Sequence, residues 1–106
     1  MDISTATQSL AALAQDTRLE IFRFLVQRGP AGVPVGTIAE QFDLPGATLS
    51  FHLNALKQAG LLAVRRAGRM LFYSPDFERM GELLAFLMDD CCGGQCSITA
   101  VSKPRR

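Results

Sequence analysis

Three cysteines stand within six residues near the C-terminal end of the chain, in the segment DDCCGGQC: Cys91, Cys92 and Cys96. Thiolates held close together bind soft, thiophilic ions. Adjacent cysteines on a helix point about 100° apart, so Cys91 and Cys92 converge on one ion only where the helix frays. Gly93-Gly94 lets the chain turn there and bring Cys96 toward them. Structural zinc takes four ligands, and the only histidine, His52, lies far away in the chain. Asp89 or Asp90 could complete such a set, which keeps zinc, cadmium or lead open. A trivalent ion with a lone pair, such as arsenic or antimony, needs only the three sulfurs. A redox switch and incidental thiols are the remaining readings. An odd number of cysteines argues against a secreted disulfide framework.

The second chemical signal is charge. No acidic residue falls between Asp43 and Asp76, whereas Lys57, Arg65, Arg66 and Arg69 do. This interval carries a formal +4 in a chain whose net charge is +1, leaving −3 for the remainder. Neutralising phosphates requires a local basic surface of this kind, not a high overall pI. A solvated basic face is the alternative.

The elements that must position these groups follow from periodicity. Within LPGATLSFHLNALKQAGLL, Leu49, Leu53 and Leu56 recur on one helical face. Ala47, Phe51, Asn54 and Gln58 lie opposite, flanked by Ser50 on one side and by Thr48 and His52 on the other. Pro45-Gly46 starts this helix and Gly60 suits its left-handed cap. An apolar back with a front of small and polar groups fits a DNA major groove. The alternative is an ordinary amphipathic surface helix. Base reading falls to Thr48, Ser50, His52 and Asn54. Phe51 either contacts a thymine methyl or is buried by a rotated helix.

Upstream, residues 3–14 read as a first helix capped by Ser4 or Thr5, with Leu10, Leu13 and Ala14 apolar. Asp16 or Thr17 caps a second, on which Leu19, Phe22 and Val26 recur and Ile21 pairs with Leu25. It stops at Gly29-Pro30, and the run to Pro34 is a turn-rich connection. Val35, Ile38, Ala39 and Phe42 form a short third helix, which makes a helix-turn-helix with the leucine-backed one. Downstream the period changes to two: residues 62–66 and 69–74 form a hairpin around Ala67-Gly68, with arginines at its tip. Phosphate or minor-groove contact is the functional reading of that wing; a hairpin kept soluble by its arginines is the other. Pro75-Asp76 opens a last helix with a broad apolar stripe, Phe77, Met80, Leu83, Leu84, Leu87 and Met88. A small domain cannot cover both terminal helices, so a second copy is expected to pack on them; the alternative is that they complete the monomer core.

The segments DTRLEIFRFL, TIAEQFDLPGATLSFHLNALKQAGLL and RRAGRMLFYSP resemble the ArsR/SmtB family of metal-responsive winged-helix repressors, over roughly residues 10–87. Ser50-x-His52-Leu53 followed by Ala59-Gly60-Leu61 is the specific part. The resemblance implies a mainly α fold with a β-hairpin (α+β), a winged helix-turn-helix of order α-α-α-α-β-β-α. It implies a homodimer through the first and last helices, with double-stranded operator DNA as partner. It also implies release of DNA when As(III) or Sb(III) binds the thiolates. The cysteine pair that the best-known arsenic sensors carry before the recognition helix, around Gln41-Phe42, is absent. So is the His and carboxylate set of the zinc sensors on the last helix. Cys91, Cys92 and Cys96 look like the version with C-terminal cysteines; organoarsenicals, needing two sulfurs, are competing inducers. Relatives usually carry a polar or basic residue where Phe51 stands.

The 106 residues, 48% hydrophobic, suffice for one domain with a small core. The expected division is a DNA-binding and dimerisation domain over residues 1–92 and a cysteine-containing tail over 91–106. No window of about 18 apolar residues suggests a membrane span. The N-terminal segment lacks a secretory signal, so the expected location is cytoplasmic. With one histidine, no glycine-rich phosphate loop and no paired carboxylates near a nucleophile, an enzyme is not expected.

Overall fold

The computed structural model describes residues 1–89 and 93. Five helices and three short strands follow in the order α1 (Ile3–Leu13), α2 (Asp16–Arg28), β1 (Val33–Pro34), α3 (Val35–Phe42), α4 (Gly46–Gln58), β2 (Leu62–Ala67), β3 (Met70–Pro75) and α5 (Phe77–Leu87). This is the winged helix-turn-helix expected from the sequence, with one addition. The connection before α3 is partly a strand: β1 pairs antiparallel with β3, Val33 opposite Tyr73 and Pro34 opposite Phe72. The wing is therefore the outer part of a three-stranded sheet of order β1-β3-β2. Pro34, which has no N–H to donate, is tolerated because β1 is an edge strand.

Three helices start on side-chain caps. Thr5 N–H donates to Asp2 Oδ1 at 2.7 Å, Arg18 N–H to Gln15 Oε1 at 2.8 Å, and Arg79 N–H to Asp76 Oδ1 at 3.0 Å. The first two caps lie upstream of the residues the sequence suggested. Asp2 replaces Ser4 or Thr5, and Gln15 replaces Asp16 or Thr17. Each satisfies an N–H that the first helical turn leaves without a backbone partner. The Asp2 carboxyl is held below its usual range by the Thr5 hydrogen bonds.

The core sits where α2, α3, α4 and the base of the sheet meet. Ile21, Leu25, Ile38, Leu49, Leu53, Leu56 and Leu61 are fully buried there. Leu19 and Val26, expected on the inner stripe of α2, are exposed at its margin. On α1 the inner face is Ala6, Ser9 and Ala12, not Leu10 and Ala14. Small residues there let α1 lie close against its neighbours.

α4 ends in a Schellman motif. Leu61 N–H donates to Leu56 O at 3.0 Å and Gly60 N–H to Lys57 O at 2.9 Å. Gly60 adopts φ +82, the left-handed conformation that this cap requires. Leu56 and Leu61, both fully buried, supply the apolar contact that accompanies it.

Candidate nucleic-acid interface

α4 presents the face that its leucine spacing implied. Leu49, Leu53 and Leu56 are buried, whereas Thr48, Ser50, Asn54 and Lys57 are exposed and His52 is half-buried. Phe51 is 65% exposed, so the helix is not rotated to bury it. An uncovered phenyl ring on a helix with an otherwise small and polar front is a contact surface for another apolar group. Its ring meets that of His52 edge-on, centroids 5.6 Å apart.

His52 has a neighbour that sequence reasoning missed. Arg18 of α2 brings Nη1 to 3.4 Å from His52 Nδ1 and donates from Nε to Ala12 O at 2.8 Å. It thereby ties the end of α1, the start of α2 and the outer face of α4 together. Burial, and secondarily the Arg18 charge, hold the His52 pKa below its ordinary 6.5. In the sequence Arg18 is one more cation on a helix, and no spacing marks it out.

The arginines of the wing divide. Arg65 is engaged within the fold: Nη2 donates to Ala31 O at 2.9 Å, and its guanidinium lies 4.5 Å over the Phe72 ring. It pins the β1 side of the sheet to β2. Arg66 reaches only the Gly68 carbonyl at 3.5 Å, and Arg69, at the turn, is exposed. The ion pair formed among the described residues is Arg79 with Glu82 on α5, at 3.9 Å. Lys57, Arg66 and Arg69 thus lack carboxylate partners among the described residues and can meet phosphate without first breaking one.

α1 and α5 hold the C-terminal end of α4. The Ala59 carbonyl, at the C-cap of α4, accepts from Arg79 Nη1 at 3.1 Å and from Ser9 Oγ at 3.3 Å. Asp76 N–H donates to Leu61 O at 2.8 Å. These two helices leave large apolar side chains uncovered: Ile3 is 71% exposed, Leu84 54% and Leu87 50%, with Leu10, Phe77 and Met88 also exposed. Only Leu83 of the α5 stripe is buried, and Met80 packs partly against the core.

Cys91, Cys92 and Cys96 lie outside the described residues. Among the described residues no three His, Cys, Asp or Glu side chains are grouped to hold a metal ion, and no helix is long and apolar enough to cross a membrane.

Residues 13–65 match the model of a helix-turn-helix domain, and this span contains α2 through most of β2. The chain is 34% identical over 85 residues to an arsenical resistance operon repressor of Bacillus subtilis, covering 80% of this chain and 77% of that protein. It is 33% identical over 79 residues to an HTH-type transcriptional regulator of Methanocaldococcus jannaschii, covering 74% of this chain and 86% of the relative. Among solved structures it resembles a homodimeric winged helix-turn-helix DNA-binding domain from Mycobacterium bovis, a possible ArsR-family regulator. That match has a TM-score of 0.65 at 29% identity, covering 89% of this chain and 87% of the other. The winged helix-turn-helix fold and the kinship agree: the chain belongs to the ArsR/SmtB family of winged helix-turn-helix transcriptional repressors.

Proposed function

We propose that this protein is a homodimeric repressor that holds a two-fold-symmetric operator in its ligand-free state and leaves it when As(III) or Sb(III) binds Cys91, Cys92 and Cys96. The observation that carries the DNA-binding part is the exposed row Thr48, Ser50, Phe51 and Asn54 on α4, with the half-buried His52 among them, beside a wing bearing Arg66 and Arg69. Thr48, Ser50, His52 and Asn54 read base edges, and Phe51 packs on a thymine methyl. Lys57, Arg66 and Arg69 neutralise phosphates, while Arg65 contributes charge and holds the wing in shape. The inducer class is supported by three thiols in one short segment and by similarity to an arsenical resistance operon repressor. Three thiolates match the coordination demand of a trivalent ion with a lone pair.

The chain's own contacts offer a route for release. The cysteine segment follows α5 directly in sequence, and α5 grips the end of α4 through Arg79 and Asp76. Displacing α5 would loosen that grip and change the angle and spacing of the two recognition helices in a dimer. A coupling free energy of about 1–3 kcal/mol suffices.

A gel-shift titration of the duplex upstream of its own gene, with arsenite added, tests the proposal. The complex should dissociate for the wild type and persist for Cys96→Ser. X-ray absorption of the arsenite-treated protein should count three sulfur neighbours. Release by cadmium and not arsenite would reassign the inducer. A disulfide by mass spectrometry, with no arsenic adduct, would replace metal sensing with thiol redox sensing. Retention of the duplex with arsenic bound would refute the mechanism.

A further inference from the structure

Arg18 lies outside the expected reading surface, yet it pairs with His52, which belongs to that surface. Arg18 belongs to α2, whose role in the fold is to pack Ile21, Phe22 and Leu25 into the core. Yet its guanidinium is aimed at the recognition helix, with Nη1 3.4 Å from His52 Nδ1. Two further contacts keep it there: Nε donates to Ala12 O at 2.8 Å, and its own N–H is held by Gln15 Oε1. The planar guanidinium fork can serve Ala12 and His52 together, which the single ammonium of a lysine does less well.

Arginine has donors and no acceptor and keeps its charge at any ordinary pH. A donor facing Nδ1 requires a lone pair on Nδ1, and a positive charge there opposes a proton on that nitrogen. We propose that Arg18 is a positioning residue that holds His52 as the neutral Nε2–H tautomer, so that the ring offers a donor, and never an acceptor, to the DNA. This assignment rests on the reading of α4 as the base-reading helix. Burial and the neighbouring charge both disfavour the imidazolium, which agrees with it. The ring also meets Phe51 edge-on, centroids 5.6 Å apart. A single outward donor satisfies guanine N7 or O6, adenine N7 or thymine O4, and it rejects cytosine, whose major-groove edge presents a donor. Arg18 would thus set base preference without touching a base.

Because the chain has one histidine, a long-range proton–nitrogen correlation spectrum of the intact protein at neutral pH reports this ring alone. The wild type should carry its proton on Nε2, and Arg18→Met should give a mixture of tautomers. A wild-type ring protonated on Nδ1, or an unchanged tautomer in Arg18→Met, overturns the proposal; the first result needs no variant to fold. In parallel, both proteins are used to select from a pool of randomised duplexes. Arg18→Met should lose roughly tenfold discrimination against cytosine at one position per half-site, the scale of one base contact. A uniform loss across all sequences with a shallower salt dependence would make Arg18 a phosphate ligand instead and overturn the assignment. If the wild type enriches no duplex, operator binding itself fails, and the nitrogen spectrum alone then decides what Arg18 does to the ring.

Discussion

His52 serves the fold and the proposed interface at once, and its titration exposes the first role. The neutral ring is favoured in the folded protein, so its folded pKa lies below the ordinary 6.5. Unfolded chains then bind more protons than folded ones between those two values. Stability from this residue is therefore present above pH 6.5 and is lost as the pH falls from there through the folded value. Urea midpoints measured across that window should decline toward acid for the wild type, and His52→Gln should remove the His52 part of the decline. Its neighbour Phe51 makes the opposite case. At 65% exposure the ring contributes little to the core, so Phe51→Ala should leave stability within about 0.5 kcal/mol. Operator affinity should fall, and with it any preference for thymine opposite this position. By contrast Leu53, beside the helix centre and fully buried, should cost about 2–5 kcal/mol when cut to alanine. Paired urea melts and gel shifts on these two variants separate the back of α4 from its front.

At the scale of elements, the weak point is the end of α4. Gly60 sits at φ +82, and a Cβ there would collide with the Arg79 guanidinium that caps the helix. Gly60→Ala should therefore lose about 1–3 kcal/mol from backbone strain and displace Arg79 from the Ala59 carbonyl. In chemical denaturation this should appear as a lower midpoint with an unchanged slope. That Gly60 ends the helix was legible from its place after a leucine-backed run. That two other helices converge on this cap was not, because Ser9, Ala59 and Arg79 are far apart in sequence and none breaks a pattern. The same distinction runs through the fold. Helices with a long apolar period, α4 above all, were legible. The inner face of α1 was not, since Ala6, Ser9 and Ala12 are too small to register as an apolar stripe. The strand β1 was hidden by its two-residue length and by the prolines and glycines around it, which mark a turn whether or not a neighbouring strand completes a ladder. At the site, the basic block identified the wing. Only the tertiary contacts separate Arg65, spent on Ala31 and Phe72, from Arg66 and Arg69.

For the whole molecule, the decisive question is what covers α1 and α5. These helices pack on each other and against the core, yet Ile3, Leu10, Phe77, Leu84, Leu87 and Met88 remain exposed. So many large apolar side chains on two helices exceed the scattered singles expected on a monomer surface. Burying them against a second copy would place the two α4 helices about a two-fold axis, as a symmetric operator demands. Leu84→Glu tests this cleanly, because Leu84 is 54% exposed and contributes little to the monomer core. Sedimentation equilibrium at micromolar concentration should find a dimer for the wild type and a monomer for the variant, with an unchanged circular dichroism spectrum. The variant should bind a full operator weakly, by on the order of a hundredfold or more, because its two reading heads no longer act as one ligand. Binding to a half-site duplex should be nearly equal for the two proteins. A wild type that sediments as a monomer, or a variant that stays dimeric with full affinity, would move the interface elsewhere and remove the link through Arg79 from α5 to the reading helix.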